Sequence, residues 1–329
     1  MRPSIKINFV DFYTGFNKED NEFIDILSLH YNVELSNRPD FVFYSCFGYE
    51  HLKYNCVRIF FTGECFTPDF NECDYAIGFD RLSFGDRYIR IPLYNLFQYK
   101  KVYHQIINRS RITEEELHNK DGFCSFVYSN CFAQDERTKF FQLLNQYKKV
   151  NSGGRYMNNI GGAVHDKCKF QSKHKFVIAF ENTSYPGYCT EKLVDAFAAR
   201  AIPIYYGDPQ VAEDFNADAF INVHSFISME EVIKRIKELD NNDNKYLAVV
   251  NTSIVKHKQA DDALHDYLLY IVSQDKTMVY RRPMSATAKA HEDAQLRHSF
   301  FESHIYKYYR KAVNQWIRMH KNTKLSTKK

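Results

Sequence analysis

The chain has 329 residues, 44% hydrophobic and 16% aromatic, with a formal net charge of +4. That length exceeds one ordinary core and predicts two domains, while so small a charge gives no argument for nucleic acid as a partner. The 8 cysteines lack any CxxC or zinc-finger spacing, which points to free, mostly buried thiols in a reducing compartment.

In chain order, Ile5–Val10 alternates like a first strand, and Phe23–His30 carries a helical apolar stripe. Further strands are predicted at 41–45, 57–61, 75–79 and 88–91. Short β runs alternating with helical stretches imply a parallel α/β domain. The polar stretch 108–121 reads as a short helix and linker. A second α/β set opens with a strand at 123–128 and a helix holding Phe140 to Tyr147. Asn151-Ser152-Gly153-Gly154 reads as a turn. Strands at 176–180, 202–206 and 221–223 and a helix near 229–239 complete this set. The boundaries expected are 1–118, 119–275 and a tail of helices at 276–329.

The tail is basic, with Lys307, Arg310, Lys311, Arg318, Lys321, Lys324, Lys328 and Lys329 and no acidic residue after Glu302. Ile305, Tyr306, Tyr309, Val313, Trp316 and Ile317 interleave with these charges at helical spacing. Such a helix suits either docking on the protein body or contact with an anionic membrane surface. No apolar run reaches the ~18 residues of a spanning helix. The first residues, MRPSIKINFVDFY, lack the features of a signal peptide. A cytoplasmic protein is expected, with peripheral contact on the inner membrane face through the tail.

The richest stretch is Phe176 to Gly207: strand, polar loop, helix, strand. Thr190 is placed to cap the helix that begins with Glu191 and Lys192. In an open α/β sheet, ligands bind at strand carboxyl ends and helix N-termini. Asn182, Tyr188, Glu191 and Lys192 therefore surround one candidate anion pocket. A lysine in a first helical turn opposes the helix dipole, and a bound phosphate would remove that conflict. Glu64 follows the strand ending at Phe61 and is a candidate general base. Arg137 precedes an apolar helix and can fork onto a phosphate. Taken singly, all three charges read as ordinary surface residues. No GxGxxG follows a strand and no Walker A motif occurs, which argues against a dehydrogenase and an NTPase.

Together these segments resemble the α-1,3/4-fucosyltransferases of glycosyltransferase family ten, in particular the bacterial Lewis-antigen enzymes. The resemblance is carried by FENTSYPGYCTEKLVDAFAARAIPIYYGDP (180–209) and FTGECFTPDFNECDYAIGFD (61–80). DRYIRIPLY (86–94), FCSFVYSN (123–130) and NVHSF (222–226) support it in order. It implies a GT-B fold: two Rossmann-like domains facing across a cleft. It also implies inverting transfer of fucose from GDP-β-L-fucose to the GlcNAc 3-hydroxyl of a galactosyl-GlcNAc acceptor, giving a Lewis X-type product. By motif, Glu64 takes the place of the general base. Arg137, Asn182, Tyr188, Glu191 and Lys192 take the places of donor contacts, Arg137 and Lys192 at the phosphates and Glu191 at sugar hydroxyls. No cofactor is implied and no resident metal; a divalent ion is at most stimulatory, in keeping with the lack of an Asp-x-Asp motif. Several bacterial relatives carry heptad repeats before a basic tail; no such repeat is seen here, and residues 276–329 do not match closely. A transferase using another nucleotide sugar, or a sugar-binding protein without catalysis, are the alternatives.

Overall fold

The computed structural model of the protein describes residues 2–255, 262–301 and 306–323. The chain divides into two compact units. The first combines residues 2–92 with the described part of 259–315, and the second holds 93–255 with 316–323.

The first unit opens with β1 (Ser4–Val10), α1 (Glu22–Ser28), β2 (Asn32–Leu35) and β3 (Phe41–Tyr44). It continues with β4 (Val57–Phe61), β5 (Tyr75–Gly78) and β6 (Tyr88–Arg90). The strands form one parallel sheet in the order β2-β1-β3-β4-β5-β6. Every residue of β3, β4 and β5 is buried. Parallel strands covered on both faces need such continuous apolar runs, which is why they were legible. Phe9, Phe23, Phe43 and Phe61 pack ring on ring at 5.1–5.3 Å across β1, α1, β3 and β4. Asn21 caps α1 by accepting from the Ile24 amide at 3.2 Å. The edge strand β2 is polar and mostly exposed, so no hydrophobic pattern announces it.

The second unit runs α2 (Phe97–Ile107), α3 (Glu114–His118), β7 (Gly122–Phe126), α4 (Glu136–Tyr147), β8 (Val150–Ser152), α5 (Lys167–Ser172) and β9 (His174–Phe180). It continues through α6 (Glu191–Ala198), β10 (Ile202–Tyr206), β11 (Ile221–Asn222), α7 (Met229–Asp240) and α8 (Asp243–Val250). Its sheet is also parallel, in the order β11-β10-β9-β7-β8. The first two residues of the expected turn at 151–154 belong to β8, paired with β7 through Cys124 and Val150, and the chain leaves the sheet after Ser152. The glycines there serve close approach, because a Cβ on Gly154 would fall 2.0 Å from the Tyr128 carbonyl oxygen.

Residues 93–118 belong to the second unit, which puts the division after residue 92 and not at 118. Tyr94, Tyr103 and Ile106 join Val177, Leu193 and Phe197 in one buried cluster. The helix responsible, α2, starts without a polar cap, at Leu96 and a Phe97 of φ 53°, so its start signal is missing from the sequence.

After α8 the chain returns to the first unit with α9 (Ala263–Ser273) and α10 (Ala286–Phe301), and α11 (Lys307–Thr323) follows. The segment expected to form a separate tail from 276 is thus partly built into the first unit. Asp74, fully buried before β5, organises this return. One carboxylate oxygen accepts from the Arg281 and Arg282 amides at 2.7 and 2.9 Å. The other accepts from the Arg58 amide at 2.8 Å and pairs with the buried Arg282 guanidinium. Arg58 in turn pairs with Glu292 of α10 at 2.6 Å. No helix among the described residues is long and apolar enough to cross a membrane.

Removing one partner of a buried pair leaves the other charge uncompensated. Asp74→Ala is therefore expected to lower unfolding free energy by about 3–5 kcal/mol, read as a lower denaturant midpoint. A parent-like midpoint would show that Asp74 does not hold the returning segment.

Candidate functional site

Each unit ends its central strands in polar residues, and the candidates sit there. In the first unit, β4 runs out at Phe61 into Thr62, Gly63 and Glu64. Thr62 is buried, and its hydroxyl accepts from the Glu64 amide at 3.0 Å. Glu64 itself is exposed, and its carbonyl accepts from the Phe66 amide at 2.8 Å. Cys46, just after β3, lies 3.3 Å from the Thr62 hydroxyl. Burial pushes the Cys46 thiol up, and the nearby Glu64 charge adds to that shift. Phe66, two residues after Glu64, and Phe47, next to Cys46, are each about half exposed.

In the second unit the site gathers at the carboxyl end of β9 and the start of α6. Arg137, in the first turn of α4, is only 2% exposed, so the surface reading of it is overturned. Its guanidinium stacks on the Tyr128 ring at 4.0 Å. One nitrogen donates to the Glu181 carbonyl and to the Asn182 side-chain oxygen, both at 2.9 Å. Arg137 thereby ties the polar loop to α4, and the Asn182 carbonyl accepts from the Gln134 amide at 3.0 Å.

Lys192 is likewise mostly buried, its side chain 16% exposed. Its ammonium donates to Glu181 Oε2 at 2.9 Å and to the Thr190 hydroxyl at 2.8 Å. Glu191 Oε1 lies 3.4 Å away. Burial opposes this charge, but the Glu181 and Glu191 carboxylates outweigh it and hold the lysine well above its ordinary range. Glu191 titrates below its usual value: burial works against its charge, and Lys192 and Lys167 more than compensate. Tyr188 is buried within electrostatic reach of Lys192. The conflict between a lysine and a helix N-terminus is thus already relieved from inside the protein. Glu181, just past the end of β9, supplies the relief.

Thr190 occupies the N-cap position as expected, but its side chain makes no capping bond. Its hydroxyl donates to Glu181 Oε2 at 2.7 Å instead. The N-cap side chain therefore does not cap α6, and N–H groups at a helix start favour anions. The loop between is fixed by Gly187 at φ 84°, whose amide donates to the fully buried Asp208 at 2.8 Å. His224 stacks on Tyr206 at 4.7 Å, and burial pulls its pKa down.

The second unit thus brings Arg137, Asn182, Tyr188, Glu191 and Lys192 around one strand–helix junction, and Glu64 belongs to the first unit. Sequence reasoning missed Glu181, Tyr128 and Asp208 as parts of the framework; the misplaced charge of Lys192 was the signal for Glu181. Among the described residues, Asp69, Glu72 and His291 of the first unit are grouped so that they could hold a metal ion, with donor atoms within 4.8 Å of one another. Glu72 there is also 3.3 Å from the buried His51, which pairs with Asp11 at 2.7 Å.

Comparison with known proteins matches both units. The alpha-(1,3)-fucosyltransferase FucT N-terminal domain pattern fits residues 7–97. The glycosyltransferase family 10 (fucosyltransferase) C-terminal pattern fits residues 117–253. Alpha-(1,3)-fucosyltransferase FucT of Helicobacter pylori is 39% identical over 257 residues, 68% of this chain and 54% of that one. The chain thus spans about half the length of that relative. The mouse 4-galactosyl-N-acetylglucosaminide 3-alpha-L-fucosyltransferase 9 is 32% identical over 142 residues, 41% of this chain and 38% of its own. A crystal structure of an alpha1,3-fucosyltransferase superposes with a TM-score of 0.74 at 31% identity, covering 86% of this chain and 94% of that one. A structure of alpha1,3-fucosyltransferase with GDP-fucose gives 0.71 at the same identity and coverage. With two parallel Rossmann-like units, the fold class is the expected α/β GT-B one. On these likenesses the chain belongs to glycosyltransferase family 10, the fucosyltransferases.

Proposed function

We propose that the protein transfers L-fucose from GDP-β-L-fucose to the GlcNAc 3-hydroxyl of galactosyl-GlcNAc acceptors, with inversion at the anomeric carbon and a Lewis X-type product. The observation that carries this reading is the buried, charged junction of β9 and α6, where Lys192 is held as an ammonium beside a helix start. A nucleoside diphosphate is a stable anion and leaves without a general acid, so the site needs directed positive charge. Lys192 donates to the diphosphate, and the α6 amides add to it. Arg137 acts from behind, by fixing Asn182 and the loop that frames the donor. Glu191, ionised and half-buried, accepts from sugar hydroxyls.

The acceptor side falls to the first unit. Inversion requires a base on the acceptor hydroxyl opposite the leaving group, as in inverting glycoside hydrolysis. Glu64 is exposed at the end of a central strand, so its carboxylate is accessible to an incoming sugar. Protein cations fill the role that a divalent ion plays in other transferases, and a metal is at most a stimulant. We also assign membrane contact to α11, which carries Arg310, Lys311 and Arg318 with exposed Tyr308, Tyr309 and Trp316. Ile305, Lys324, Lys328, Lys329 and the side chains of Lys307 and Lys321 lie outside the described residues.

Incubation with GDP-fucose and N-acetyllactosamine is expected to yield a fucosylated trisaccharide, its linkage read by NMR; transfer from a UDP-sugar in its place would overturn the donor assignment. Glu64→Gln should retain donor binding and lose about 10²-fold or more in turnover. Unchanged turnover would remove Glu64 from the chemistry. Lys192→Ala should weaken GDP-fucose binding by about 10–100-fold, the loss of one charge-assisted hydrogen bond. A parent-like Kd would mean that this ammonium does not meet the phosphates. Deletion of 305–329 should abolish co-sedimentation with anionic vesicles and spare activity on a soluble acceptor; equal sedimentation would dispose of the membrane role.

A further inference from the structure

We propose that Glu181 is a positioning residue for fucosyl transfer: with Thr190 it fixes the direction in which Lys192 presents its remaining N–H to the donor diphosphate. The inference rests on the donor-site reading above. Glu181 is 2% exposed, and its carboxylate is fully engaged. Oε1 accepts from the Thr190 amide at 2.8 Å; Oε2 accepts from the Thr190 hydroxyl at 2.7 Å and from Lys192 at 2.9 Å. Lys192 also donates to the Thr190 hydroxyl at 2.8 Å. An ammonium has three N–H donors, so two bonds at these distances determine where the third points.

The carboxylate is itself held on all sides. Its residue's amide donates to the Tyr206 carbonyl at 2.7 Å, and its carbonyl accepts from Arg137 at 2.9 Å. Room for its stem depends on Gly207, where a Cβ would fall 2.4 Å from Glu181 Cγ.

Electrostatics separate aiming from simple attraction. If Lys192 served only as a source of positive field for an anion, a buried carboxylate 2.9 Å away would be counterproductive, since it cancels most of that field. Stability gives no better reason, because a buried ion pair roughly breaks even against a hydrophobic replacement. A directed donor, by contrast, needs just such a rigid backing, for a donor helps the reaction only where it meets charge developing in the transition state. The other ionisable groups around Lys192 are Glu191, Tyr188, Tyr99 and Tyr128, with Lys167 acting on Glu191. Of the two carboxylates beside Lys192, Glu181 is the nearer, at 2.9 Å against 3.4 Å, and it also holds both the amide and the hydroxyl of Thr190, the N-cap of α6.

The test is Glu181→Gln in the full chain, with steady-state kinetics on GDP-fucose and N-acetyllactosamine across pH and GDP binding by calorimetry. The expected result is a split: kcat falls about 10–100-fold, while the Kd for GDP stays within about threefold of the parent's, because removing a negative charge offsets the loss of aim. The alkaline limb of kcat should also move to lower pH, since the lysine loses the nearer of its two carboxylates and sheds its proton sooner. A parent-like kcat and alkaline limb, or kcat and GDP affinity falling together with the melting temperature, would overturn the proposal. Thr190→Val keeps every charge and removes the relay; it should lower kcat with the alkaline limb in place, and it decides the matter if the glutamine variant fails to fold. A parent enzyme unable to use GDP-fucose would instead sink the donor reading and this inference with it.

Discussion

A parallel strand buried on both faces leaves no place for chemistry along its length. Phe41–Tyr44, Val57–Phe61 and Tyr75–Gly78 are buried at every position, and β9 is nearly so. Most of their side chains serve packing, and the polar ones are bonded within the interior, as Arg58 is to Glu292. Polar function is therefore confined to the residues just past the carboxyl ends, where the backbone leaves the sheet and meets a helix start. Glu64 and the Glu181–Asn182 pair occupy those positions in their respective sheets. The rest of each unit, from the phenylalanine ladder around Phe43 to the cluster around Phe197, keeps these few residues in register.

The same confinement makes charge compensation unavoidable. Groups at the strand ends are half in the core, and an unpaired charge there is costly. The protein meets this in two ways. Around Asp74 it closes a pair completely: a carboxylate with no exposure takes two backbone amides, a third from Arg58 and the Arg282 guanidinium. Around Lys192 it leaves the pairing incomplete, with a cation backed by carboxylates and hydroxyl on one side and still partly open to solvent. The first arrangement builds an interior; the second keeps a polarised group available to a ligand.

Much of this was legible in the sequence, for reasons that differ by element. The central strands announced themselves as apolar runs, and the helix expected near 229–239 is α7, which the structure shows capped by Ser228, its hydroxyl accepting from the Glu231 amide. The exposed strand β2 and the helices α2 and α5 were not legible, since their burial depends on partners far along the chain or is slight. Among the site residues, Lys192 was conspicuous because its charge sits at the wrong end of a helix. What answers that charge was not legible: a phosphate and a carboxylate fit the pattern equally, and only folding brings Glu181 beside it. Arg137 shows the opposite limit. Nothing near it in the chain betrays burial, which arises from the Tyr128 ring and the carbonyls ending β9.

The return of the chain to its first unit has a bearing on how the molecule is made. Asp74 leaves the ribosome 207 residues ahead of the Arg281 amide that it binds. At ordinary elongation rates that interval is on the order of 10–40 s. Throughout it the N-terminal sheet carries an interior carboxylate without its Arg282 partner, and all five strands of the second sheet are made before that partner is. The first unit therefore completes the bonds of Asp74 only once a short arginine pair near the other end of the chain has been made.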